Sequence, residues 1–139
     1  MSTNQLIVDN LFQKVLLEPA QRGAKELFVL SGYASASMVT KHFEVVSKEL
    51  SIDLAIDLHI GMSGRDGLSR NTLLGLQAIP RQIGDRSFNC SLSMAGSSNH
   101  SKIYVWCNDN GTCCFCNSFR HLGHRAMVCA RVSSYTGGG

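Results

Sequence analysis

The stretch Asn99-His100-Ser101-Lys102-Ile103-Tyr104-Val105-Trp106 holds an imidazole and an ammonium two residues apart. It follows the small polar run Ala95-Gly96-Ser97-Ser98 and reads as a short strand rich in β-branched and aromatic residues. Side chains alternate along a strand, so His100, Lys102, Tyr104 and Trp106 share one side, and Ser101, Ile103 and Val105 share the other. Histidine can attack phosphorus or move a proton near neutral pH, and lysine offers fixed positive charge to the equatorial oxygens. Such a pair suits a single phosphate. The spacing by itself more often marks an edge strand carrying a solvated His and Lys.

Two other stretches carry reactive residue types. In Ile52-Asp53-Leu54-Ala55-Ile56-Asp57-Leu58-His59-Ile60 one face is wholly apolar and the other bears Asp53, Asp57 and His59. This predicts either a polar strand face near a sheet edge or a convergent catalytic set. The following Gly61-Met62-Ser63-Gly64-Arg65-Asp66-Gly67 can present backbone amides to an anion, but it matches neither a dinucleotide fingerprint nor a P-loop.

The elements that must position these residues form one domain's worth of chain, 139 residues with 44% hydrophobic content. No apolar run approaches a membrane span, and no secretory leader opens the sequence. A cytoplasmic protein is therefore expected, its six Cys as thiols or metal ligands rather than a disulfide framework. All ten acids lie at or before Asp109, whereas Arg120, Arg125, Arg131 and five of the six Cys lie from Cys107 onward. That break divides the chain into residues 1–110 and a Cys-rich basic tail, 111–139, of undefined structure.

Residues 4–17 read as an amphipathic helix, with Ile7, Leu11, Phe12, Val15 and Leu16 on one stripe. Leu27-Phe28-Val29-Leu30 reads as a buried strand, and Ser31 to Ser35 as a strand-to-helix turn with Ser35 as N-cap. A helix through Val39, His42, Phe43, Val46 and Leu50 follows, with His42 on its apolar stripe and hence structural. Residues 69–79 read as a further helix limited by Pro80. Phe88, Cys90, Leu92 and Met94 mark a strand expected to pair antiparallel with the one after His100. The order α-β-α-β-α-β-β predicts an α/β sandwich with a mixed, mostly parallel sheet flanked by helices.

With these residues in place, the chain resembles the N-terminal catalytic domain of phospholipase D-like type II restriction endonucleases, the NgoFVII kind. The likeness runs over about residues 4–110 and is carried by the element order, Leu30-Ser31-Gly32-Tyr33-Ala34-Ser35, Ile60-Gly61-Met62 and, above all, His100 to Trp106. It implies a phospholipase D-like α/β fold and metal-independent hydrolysis of double-stranded DNA, with no cofactor. His100 would form a phosphohistidine with one DNA strand, and Lys102 would stabilise the transition state. In-line transfer needs a group on each side of phosphorus, and with a single His-x-Lys the resemblance implies a homodimer sharing one site. The resemblance also points to Ser31 and Tyr33 as substrate-binding residues. Asn117 and Ser118 have the chemistry of the family's Gly-Ser-x-Asn element but in the wrong order. The acid-free ending fits a truncation or altered reading frame after about residue 110, leaving the fold incomplete at its C-terminus.

Two other readings compete. Cys113-x2-Cys116-x4-His121 begins like a zinc knuckle, which His124 or Cys129 could complete, leaving Arg120, Arg125 and Arg131 for nucleic acid phosphates. That reading makes the chain a zinc-dependent nucleic-acid-binding module. The other makes it a non-catalytic dimerisation remnant that keeps the fold alone.

Overall fold

A computed structural model describes residues 4–7, 10–51, 53–83, 87–94, 101–121 and 124–133, with backbone only for 4–7, 118–121 and 124–133. One seven-stranded sheet runs through it in the order β1-β7-β6-β5-β2-β3-β4. The strands are β1 (Asn4–Ile7), β2 (Glu26–Ser31), β3 (Ala55–Ile60), β4 (Ser87–Leu92), β5 (Ile103–Cys107), β6 (Thr112–His121) and β7 (His124–Ser133). Only β2–β3 and β3–β4 are parallel; the other four pairings are antiparallel.

The helices follow from apolar spacing and capping. In α2 (Ala36–Leu50) the Ser35 hydroxyl accepts the Met38 amide at 3.3 Å, and His42, Phe43 and Val46 are buried along one stripe. In α4 (Arg70–Gln82) Ser69 plays the same part for the Thr72 amide at 3.1 Å. A π-helical segment (Phe12–Leu17) runs into the single turn α1 (Glu18–Gln21), and another single turn, α3 (Ser63–Asp66), follows β3. Among the described residues no helix is long and apolar enough to cross a membrane.

Strand alternation sorts the sheet into two unlike faces. Leu27, Ile56, Leu58, Ile60, Phe88 and Trp106 pack with Phe43, Val46, Leu76 and Ile79 of α2 and α4 in one core. Trp106 is fully buried, and its indole N–H donates to the Val15 carbonyl at 2.8 Å. The opposite face carries Phe28, Asp57, Asn89 and Phe115, all exposed. The described helices thus flank the sheet on one side.

Several expectations need correction. Residues 4–7 are a strand, not the start of a helix, because β7 offers its edge as a pairing partner. Pro80 lies inside α4, within its last turn, and the helix runs on to Gln82. β5 pairs with β2 rather than with β4, which places Trp106 opposite Leu27 at the centre of the sheet. Residues 112–121 and 124–133 are strands of the same sheet, so the compositional break falls in the turn between β5 and β6. In that turn the Thr112 amide donates to Asn108 Oδ1 at 3.0 Å, and Gly111 has a φ of 82°, a conformation glycine adopts without strain.

Candidate functional site

The parallel strands β2, β3 and β4 end together, and their carboxyl ends are locked by backbone bonds. The Gly61 amide donates to Ser31 O at 2.7 Å, Met62 to Gly32 O at 3.0 Å, and Ser93 to Ile60 O at 3.1 Å. The Ser63 hydroxyl reinforces this rim by donating to Ile60 O at 3.0 Å and Ser93 O at 3.1 Å. Because β5 runs antiparallel to β2, its amino end arrives at the same rim, bringing Lys102 with it. Ligands on open α/β sheets bind at such carboxyl ends.

A cleft of about 270 Å³ opens there. Its floor is apolar, made by Leu27, Val29, Ile56 and Leu58, and its polar lining comes from Ser31, Tyr33, Ser35, His42, Lys102 and Tyr104. Lys102 and Tyr104 line one wall, as the alternation of the strand predicts. The amino end of α2, with Ser35 and Met38, forms another part of the lining, so the positive end of a 15-residue helix and an ammonium both favour an anion here. Ser31 is buried, and its hydroxyl donates to the Tyr33 carbonyl at 2.6 Å, which fixes the turn between β2 and α2. The Tyr33 hydroxyl donates to Asp66 of α3. That hydrogen bond, then burial, then the carboxylate charge hold the phenol above its ordinary pKa.

The structure therefore brings Ser31, Tyr33 and Lys102 into one cleft. His100 lies outside the described residues. Asn117 is paired in register with Ile103, one residue out of phase with Lys102, and so belongs to the other face of the sheet. Ser118, on β6, is paired with Met127 of β7. The sequence offered no sign of the link between Tyr33 and Asp66, which lie 33 residues apart.

Two further histidines, His42 and His59, have their rings engaged. His42 is buried, Nε2 lies 2.7 Å from the Leu16 carbonyl, and its ring stands edge-on to Phe12 and Trp106. Burial pushes its pKa below the usual histidine value, partly offset by the bond to Leu16. On β3, His59 has Ser91 Oγ 2.8 Å from Nδ1 and Ser93 Oγ 3.0 Å from Nε2, so hydroxyls rather than Asp53 or Asp57 engage its ring.

The cysteines do not assemble as the zinc reading requires. Cys107 and Cys113 face each other across β5 and β6 and are joined by a disulfide. Cys113 and Cys116 are three residues apart on a strand, which turns them to opposite faces, and Cys116 is also disulfide-bonded. Neither thiolate is available to a shared metal. His121, His124 and Cys129 are placed only by backbone, with His121 opposite His124 at the β6–β7 turn and Cys129 opposite Cys116. The expectation of reduced cysteines fails at Cys107, Cys113 and Cys116, since hairpin register sets Cys107 directly against Cys113, and holds at Cys90 and Cys114, which are thiols.

Comparison with known proteins decides the family. The NgoFVII restriction endonuclease N-terminal PLD domain matches residues 9–115. The chain belongs to that family. A crystal structure of yeast tyrosyl-DNA phosphodiesterase superposes with a TM-score of 0.52 at 12% identity, covering 94% of this chain and 32% of that one. The H432R mutant of the yeast enzyme gives 0.50 at 12% identity, over 94% and 31%. These likenesses concern the fold, and the NgoFVII-family chain spans about a third of the yeast structures' length. No curated protein matches it.

Proposed function

We propose that this NgoFVII-family chain hydrolyses DNA phosphodiesters without a metal ion, as a restriction endonuclease domain acting on double-stranded DNA. The observation that carries the reading is Lys102 in a cleft with Ser31 and Tyr33 at the carboxyl rim of the sheet, in a chain of this family. Covalent geometry keeps the His100 Cα within about 7 Å of the Lys102 Cα, so both can address one phosphate.

In this mechanism an imidazole nitrogen of His100 attacks phosphorus as the P–O bond to the leaving strand breaks, giving a phosphohistidine. The departing oxygen takes a proton from His100 of the partner subunit, placed on the far side of phosphorus. Water then attacks the phosphohistidine, returns a proton to that second imidazole and frees His100. Lys102 stabilises the charge on the non-bridging oxygens in both steps. A symmetric dimer supplies the second imidazole and doubles the positive charge at the site.

The test is cleavage of end-labelled duplex DNA by the 139-residue chain in excess EDTA. Activity should persist in EDTA, and alkaline trapping should leave label on the protein. Lys102→Ala should lower kcat by at least roughly 100-fold, the scale of losing one transition-state charge partner. Loss of activity in EDTA with restoration by magnesium, or unchanged turnover in Lys102→Ala, would overturn the mechanism.

A further inference from the structure

Tyr33 is 53% exposed although it lines the cleft beside Lys102. Its ring is nonetheless anchored. The hydroxyl donates to Asp66, the last residue of α3, and the Met62 amide donates to Gly32 O at 3.0 Å beside it. Asp66 is itself fixed: its amide donates to Met62 O at 2.9 Å, and Arg65 Nε lies 3.8 Å from its second oxygen. Gly67 closes this turn with a φ of 73°, where its amide reaches Ser63 O at 2.9 Å. The glycine-rich stretch after β3 thus serves as a latch on the turn that carries Tyr33.

We propose that Tyr33 is a stacking platform for an unpaired base beside the phosphate held at Lys102, and that Asp66 is the positioning residue that orients its ring. The inference rests on the proposed function and names its preferred substrate: DNA whose flanking base is free to leave the stack. A tethered phenol keeps its edge fixed while presenting the ring, so little rotamer freedom remains to be lost on binding. An aromatic face accepts any base, which suits contact beside the cut rather than sequence reading. In an intact duplex the same contact requires a base to be pulled from the stack at a cost of a few kcal/mol, least at a mismatch, a loop or a strand end. Arg65, exposed at the same rim, adds a cation for the neighbouring phosphate.

The experiment compares kcat and KM of the full chain on three oligonucleotides: fully paired, with a looped-out base at the cut, and with an abasic site in that position. Wild type should favour the looped-out substrate over the abasic one by roughly 5- to 150-fold in kcat/KM, the range for one base–aromatic stack. Tyr33→Ala should abolish that preference, and Tyr33→Trp should restore it. Tyr33→Phe and Asp66→Ala should each raise KM by roughly 2- to 10-fold at constant kcat, the range for one hydrogen bond. The Tyr33→Phe/Asp66→Ala double variant should be no worse than either alone. A wild-type chain that cleaves none of the three substrates overturns the proposed function and the inference with it. A chain that cleaves all three, with Tyr33→Ala keeping the wild-type preference, overturns the inference alone.

Discussion

Neighbouring residues on the same strands stand in opposite environments. On the helix-covered face Leu27, Ile56, Leu58, Ile60 and Trp106 are between 0 and 4% exposed. One residue away, Phe28 is 46% exposed, Phe115 is 37% exposed, and Asp57 and Asn89 are open as well. Folding free energy is therefore concentrated on one side, where apolar area leaves water. The cleft lies at the rim of that same side, with its apolar floor drawn from core residues and its polar lining from turns and strand ends. The buried face thus carries the cleft at its edge. Substitutions should divide sharply according to which face they touch.

The largest effect should come from Trp106→Ala. It deletes the largest fully buried side chain and strands the Val15 carbonyl that the indole satisfies. A loss of about 3–5 kcal/mol is expected for a buried aromatic, much of the stability of a small domain. Denaturant unfolding of the variant against wild type measures it. A loss under 1 kcal/mol would mean that the covered face is not the core.

His42 sharpens the same point, since it is a polar residue on the covered face. His42→Leu leaves the Leu16 carbonyl without its 2.7 Å partner and should cost about 1–3 kcal/mol. Burial lowers the pKa of His42 in the folded state, so below about pH 6.5 the unfolded chain binds the proton more readily. Stability should be flat with respect to this group above that pH and fall as pH drops below it. The fall should be shallower in His42→Leu. An unchanged pH profile in the variant would assign the acid sensitivity to other groups.

These contrasts also explain what was legible in the sequence. The alternation of Ile56, Leu58 and Ile60 with Asp57 and His59 identified β3 and its buried face, because burial on one side writes a period of two. The stripe and N-cap of α2 were equally local, and so was the buried role of His42. Features decided by distant partners were hidden. Asn4–Ile7 fits a helical stripe as well as a strand, and only β7 settles the choice. The place of β5 beside β2 depends on which edge can bury Trp106, a property of the assembled sheet. Strand parity likewise separates Cys113 from Cys116, although their spacing looks like a metal motif. At the cleft, Lys102 was readable by type and strand position and Ser31 and Tyr33 through the family resemblance, whereas Asp66 reaches Tyr33 only through the fold.

A smaller effect belongs to the exposed ion pair at the far end of the sheet. Lys25 Nζ lies 3.2 Å from Asp109 Oδ2, with side chains 51% and 81% exposed. Solvent and salt screen such a pair, so Lys25→Ala should cost no more than about 1 kcal/mol, and raising salt to 1 M should shrink the difference. A loss that persists in high salt would point to the backbone bond from Lys25 N to Cys107 O at 3.1 Å as the element disturbed.

The smallest effect should come from the open face. Phe28 and Phe115 lie on β2 and β6, on either side of Val105 in the register of β5, so together they make an apolar band across three strands. Threonine, being β-branched, also favours a strand while removing the ring, and the partly exposed sites leave little transfer energy to lose. Phe28→Thr and Phe115→Thr should each shift unfolding by about 0.5 kcal/mol or less at micromolar concentration. Being separated by β5, they should combine additively. The measurement is decisive because the alternative has a different signature. If a second copy of the chain covered this band, wild type would gain stability with rising protein concentration, the double variant would lose that gain, and sedimentation would show it dissociated where wild type is associated. A double variant with near-wild-type midpoints and the same concentration dependence as wild type would establish that the band is open in solution and that the two faces differ in energy as much as they do in exposure.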